Sequence, residues 1–174
     1  MLNNLLGEYM DTSRIIVEMH KLEKKLKYKF NNIYYLSKAM CAIKSGKKTR
    51  NNSYQNDGLA VVGDALIKFV LSDKIYRIDN IDNKGKITTI KKDLESNSTF
   101  NEVIKKEKWI DHAYNELHFS SEPHIPVHEQ VVNKKHSPYL EAIAGAIYYD
   151  SDFETVKKWI LEQLLPLLEK YSKK

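Results

Sequence analysis

Cysteine is nearly absent: Cys41 is the one copy in 174 residues, which excludes an intrachain disulfide and any thiolate zinc site. Proline and glycine are scarce too, at four and six copies, which argues against a turn-rich all-β fold and for helices. No apolar run reaches the roughly 18 residues that a transmembrane helix needs, so no membrane partner is expected. The N-terminus has no basic segment followed by an apolar core, so no secretory leader is expected. With the single cysteine, this fits an intracellular location and does not separate cytoplasm from nucleus. Nor is one sign of charge in large excess: 28 Lys plus Arg against 23 Asp plus Glu leave +5. That permits a polyanionic partner without requiring one.

What is present is the composition of a globular domain, 42% hydrophobic and 29% charged, long enough for one core with no staple. Leu2, Leu5, Leu6 and Tyr9, then Ile15, Ile16 and Met19, recur at helical spacing over residues 1–20. Asp11-Thr12-Ser13 is a stop-and-cap signal between the two sets. Residues 21–30 and 33–43 read as two further pieces, broken at Asn31-Asn32. Residues 44–57 are polar and basic, with Lys44, Lys47, Lys48 and Arg50. They form either a solvated loop or one that contacts phosphate. Residues 59–76 read as a long apolar helix, 86–106 as one or two helices, and 139–149 as a second apolar helix. Residues 109–133 hold Pro123, Pro126, His118, His124 and His128 and read as an irregular connection with surface histidines. Residues 153–171 form a closing amphipathic helix with a kink expected at Pro166. The fold class is all-α.

Two acids stand inside the two apolar helices: Asp64, in Leu59-Ala60-Val61-Val62-Gly63-Asp64-Ala65, and Glu141, in Tyr139-Leu140-Glu141-Ala142-Ile143-Ala144-Gly145. A helix apolar all round is normally buried, and a carboxylate there needs a partner or a cation. Each acid has glycine and alanine nearby, which let helix backbones approach closely. Two carboxylates brought together need a cation between them, or one stays protonated. Oxygen ligands suit Mg²⁺ or Mn²⁺. The pattern leaves a second reading open, in which each acid lies at its helix edge, solvated or paired with a lysine.

The same residues carry a family resemblance. Asp57 to Ile67 resembles the signature helix of the ribonuclease III family, E-R-L-E-F-L-G-D-A-[VI]-[LI], with Leu59, Gly63, Asp64 and Ala65 matching and Asp57 standing at its first Glu. Glu141 to Asp150 resembles E-A-L-I-G-A-I-Y-L-D. Leu22 to Phe30 is similar to L-E-x-x-L-x-Y-x-F, and Leu94-Glu95-Ser96-Asn97 to L-V-S-N. Phe153, Lys157 and Lys158 sit as in the closing helix. The match covers about residues 21–171, which leaves 1–20 as an N-terminal helical extension and 172–174 as a tail. These residues leave no room for the double-stranded RNA-binding domain that often follows, so either the protein lacks one or this chain is an excised piece. The resemblance implies an all-helical endonuclease domain that works as a homodimer. The implied reaction is Mg²⁺- or Mn²⁺-dependent hydrolysis of double-stranded RNA, leaving 5′-phosphate and 3′-hydroxyl ends. Little sequence specificity is implied, because A-form RNA is read by shape.

Asp64 and Glu141 match two of the family's four metal carboxylates. Ala60 and Pro138 stand where it has the other two. The Mini-III subgroup resembles this chain at both positions and its members cleave RNA, which favours an active enzyme. The loss of two anions favours the alternative, an inactive RNA-binding or scaffold subunit of the same fold. By the same resemblance Lys134 either steadies the scissile phosphate or is a surface lysine, Asn97 hydrogen-bonds near the cluster, and Asp57 faces RNA or the dimer. Val61 replaces the phenylalanine that plugs the partner subunit. A homodimer remains expected, because the apolar Leu59 to Val62 surface needs cover.

Overall fold

The computed structural model describes residues 2–41, 56–114 and 137–172, with side chains for all of these except 2–12 and 137. The α-helices among these residues are α1 (Leu2–Leu26), α2 (Ile33–Met40), α3 (Asp57–Arg77), α4 (Lys84–Leu94), α5 (Asn97–Lys106), α6 (Ser137–Asp150), α7 (Phe153–Trp159) and α8 (Leu165–Ser172). Among the described residues the fold is all-α, as expected. A short 3-10 turn covers Ile110–His112, and among the described residues strand-like pairing is limited to one bridge between Cys41 and Tyr114. No helix among the described residues is long and apolar enough to cross a membrane. Lys44, Lys47, Lys48, Arg50, Lys134, His118, His124 and His128 lie outside the described residues.

Helix α6 is the central rod. Tyr139, Leu140 and every residue from Ala142 to Ile147 are buried, and such a helix is stable only inside a core. Helices α2, α3, α5 and α7 pack around it. Helix α3 is two-faced. Leu59, Ala60, Gly63, Ile67, Val70, Leu71 and Ile75 are buried, while Val61, Phe69 and Tyr76 are exposed. The expected apolar surface at 59–62 is therefore corrected: Leu59 and Ala60 are covered by the chain itself, and Val61 is left outside.

The N-terminal region also differs from expectation. Helix α1 runs unbroken through Asp11-Thr12-Ser13 and through residue 20. A cap preference is worth about 1 kcal/mol. Met19, Leu22 and Leu26 are each at most 1% exposed, and burying a large apolar side chain contributes roughly 1.5–3 kcal/mol. Packing of the second half therefore outweighs the local stop signal. Lys27, at φ 51°, turns the chain out of the helix.

The motif residues at the two ends of the chain meet in one joint. The Phe30 N–H donates to Glu23 Oε1 at 2.7 Å. Asp150 receives the Asn32 N–H at 2.7 Å, the Asn31 N–H at 2.8 Å and the Tyr28 hydroxyl at 2.9 Å. Burial, helped by the Asp150 carboxylate, pushes the Tyr28 phenol up to about 12. The Trp159 indole N–H donates to the Leu26 carbonyl at 2.8 Å and ties α1 to α7. The irregularity expected at Pro166 is a π-helical turn, Ile160–Leu164, between α7 and α8. Pro166 has no N–H to donate and its ring crowds the preceding turn. The wider turn, with the Leu165 N–H reaching the Ile160 carbonyl, absorbs that mismatch.

Candidate active site

Gly63 and Gly145 decide how α3 and α6 meet. A Cβ on Gly63 would lie 1.7 Å from the Glu141 carbonyl oxygen, and one on Gly145 would lie 2.2 Å from the Leu59 carbonyl oxygen. Only bare backbone fits at either point, so the helices touch main chain to main chain. Asp64 follows Gly63 directly, and the carbonyl that Gly63 meets belongs to Glu141. The crossing thus brings together the two acids that stood out in the sequence.

Their environments differ. Glu141 is half-buried, and burial first, then the charge of Asp64, pushes its carboxyl up to about 7, with Lys68 opposing. Asp64 is one-third exposed and accepts a hydrogen bond from Lys68 Nζ at 2.7 Å, one helical turn on. The lysine-paired alternative is therefore realised for Asp64 and not for Glu141, which has no ion pair among the described residues. The Asp64 hydrogen bond holds Lys68 above its ordinary value, and the charges of Asp64, Glu95 and Glu141 act in the same direction.

The other expected residues do not join this pair as ligands. Ala60 is buried one turn before Asp64. Pro138 lies in the first turn of α6, where its missing N–H is harmless, because N–H groups there have no intrahelical acceptor. Asp57 opens α3 two turns before Asp64, about 10 Å along the axis at 1.5 Å per residue. That is too far for a shared ion. Asn97 is exposed at the start of α5 and makes no hydrogen bond to Asp64 or Glu141 among the described residues. No cluster of three or more His, Cys, Asp or Glu able to hold a metal occurs among the described residues.

Two neighbours were missed by sequence reasoning. Lys68 carried a signal, since acid and lysine four apart on a helix are surface neighbours. Glu95 stands where the L-V-S-N stretch has valine, an acid at an apolar place. It lies at the end of α4, 3.6 Å from Lys91, and its Oε2 is buried without a hydrogen bond.

A family model for the ribonuclease III domain matches residues 57–152, which hold both acids and both glycines. Among curated relatives, a ribonuclease 3 of Caenorhabditis briggsae is 28% identical over 92% of the chain, a ribonuclease 3 of Bdellovibrio bacteriovorus 25% over 86%, and the endoribonuclease Dicer-S of Xenopus laevis 25% over 91%. The chain spans 15%, 62% and 10% of those proteins respectively. Among solved structures, the nuclease domain of ribonuclease III from Campylobacter jejuni superposes with a TM-score of 0.62 at 24% identity, covering 87% of this chain and 96% of that one. That domain has a region involved in dimer formation.

Proposed function

Because this chain belongs to the ribonuclease III family, we propose that it cuts double-stranded RNA, with Asp64 and Glu141 holding a Mg²⁺ or Mn²⁺ ion. The observation that carries this reading is the crossing at Gly63 and Gly145, which sets two carboxylates together in a half-buried place. The donor set fits such an ion. Glu141 is disfavoured as an anion by burial and by Asp64, and a cation relieves both effects. Two carboxylates are a small set, yet Mg²⁺ commonly takes one or two and fills its shell with water and phosphate oxygens. When bound, such an ion neutralises charge on the phosphate and makes water a better nucleophile, so that hydrolysis leaves 5′-phosphate and 3′-hydroxyl ends. Asp64 and Glu141 fix the position of the reaction. Glu141 must first release its proton.

Cleavage of a long labelled RNA duplex with Mg²⁺ or Mn²⁺ tests this reading. Cutting should need the added ion and stop with chelator. At limiting metal the rate should rise with pH through about 7, because only ionised Glu141 is a ligand. More metal should move the midpoint to lower pH, since ion and proton compete for one carboxylate. A rate that is metal-independent or flat across pH 6–8 counts against the assignment.

The same reading includes a homodimer. Val61 is 71% exposed, with Phe69 and Tyr76 further along α3, an apolar stripe that a second copy would cover. A strictly monomeric mass by light scattering at tens of micromolar would remove the dimer from the reading.

A further inference from the structure

We infer that Lys68 is a displaceable counterion built into the acidic pair, holding Asp64 until a divalent ion arrives and then turning toward Glu95. This rests on the metal assignment above. Three observations carry it. Lys68 Nζ is 2.7 Å from Asp64, so a proposed ligand is already engaged by a cation of the chain itself. The lysine side chain is 48% exposed, on the rim of the pair, so it can leave without opening the core. An alternative anion lies within its electrostatic reach: Glu95 acts on Lys68, whereas the charges acting on Glu141 are those of Asp64 and Lys68. The Glu95 Oε2 is buried with no hydrogen bond, and its ion pair with Lys91 is long, at 3.6 Å. An ammonium arriving there satisfies an acceptor that is otherwise under-used.

The logic is one of charge balance. With Ala60 and Pro138 in place of two acids, the pair carries few negative charges. A lysine bound to one of them reduces the net negative charge further and must be displaced by any incoming ion. The arrangement makes metal occupancy conditional on a high local ion level or on a phosphate that brings the ion with it. Glu95 reduces the penalty of displacement by receiving the lysine.

Mn²⁺ binding, by titration calorimetry on the whole chain without RNA, tests this. Lys68→Gln should bind Mn²⁺ about tenfold more tightly than wild type, the scale of one partly exposed charge set beside a dication. Glu95→Gln should bind a few-fold more weakly, and the double variant should match Lys68→Gln, because Glu95 acts only through the lysine. Asp64→Asn marks the site, as it should remove the binding. Equal affinity in wild type and Lys68→Gln, with binding still abolished by Asp64→Asn, overturns the lysine's role and leaves the metal site standing. A Glu95→Gln loss that persists in the Lys68→Gln background makes Glu95 a ligand and also overturns it. No binding sensitive to Asp64→Asn in either protein overturns the metal assignment itself, and this inference with it.

Discussion

Asp64→Asn and Glu141→Gln should each reduce duplex cleavage by about 10³-fold or more, with the fold intact. A four-carboxylate site can lose one ligand and keep a crippled ion. A two-carboxylate site has less to spare, since either change halves the anionic ligands and leaves the ion to one carboxylate, water and the substrate phosphate. Both replacements keep the shape of the side chain, so packing against the α3–α6 crossing is unchanged. Asp64→Asn gives up the ion pair with Lys68, but that pair is partly exposed, and such pairs contribute only about 0.3–0.5 kcal/mol. Glu141→Gln should be no less stable than wild type. Its carboxyl is pushed up to about 7 in the folded chain, chiefly by burial. The folded state therefore holds a proton that the unfolded state releases at lower pH. Without metal, stability falls as pH rises from the ordinary glutamate range through about 7, and a neutral glutamine escapes that loss. An inactive Glu141→Gln that melts at or above the wild-type temperature at pH 8 would separate chemistry from folding. Cleavage within tenfold of wild type in either variant would remove that residue from the reaction. If wild type binds duplex RNA and cuts it with neither metal, then Ala60 and Pro138 mark a fold kept for binding alone.

Gly63→Ala should be the most destabilising single methyl in the described chain. The new Cβ would lie 1.7 Å from the Glu141 carbonyl oxygen, 2.6 Å from its carbon and 2.9 Å from the Gly145 nitrogen. These are backbone atoms of a buried helix, which no rotamer change can move aside. The two most closely packed helices would have to separate, opening the centre of the core. A loss of about 3 kcal/mol or more is expected, which lowers the melting temperature by roughly 10 °C in a domain of this size. Gly58→Ala is the matched control. It lies on the same helix with nothing within 4 Å of the added carbon, and should be neutral or stabilising by up to about 1 kcal/mol. A Gly63→Ala variant melting within 2–3 °C of wild type would mean that the helices do not meet main chain to main chain.

Those two glycines also show what the sequence could reveal. Two apolar helices, each with an acid beside small residues, were legible as a close crossing that juxtaposes the acids, and the main-chain contacts bear that out. The motif Tyr28-x-Phe30 and the terminal Asp150 were legible as pattern, but not as one hydrogen-bonded joint. Their partners lie about 120 residues away, and no local rule connects them. The continuity of α1 was hidden because Asp11-Thr12-Ser13 is a true local stop signal, overridden by burial at Met19, Leu22 and Leu26. Lys68 reads as one more solvated lysine until Asp64 and Glu95 are placed around it.

The double anchoring of α6 has a thermodynamic consequence. It is fixed to α3 at Glu141 and Gly145, and its last residue, Asp150, is fixed to the segment between α1 and α2. Ordering a residue's backbone costs about 1–2 kcal/mol of entropy, and for Glu141 and Asp64 folding itself has met that cost. An ion arriving at this pair freezes little beyond two short side chains. Rigidity of the mounting would thus offset the smallness of the proposed ligand set, so that two preorganised carboxylates would hold what a looser scaffold would need more of them to hold.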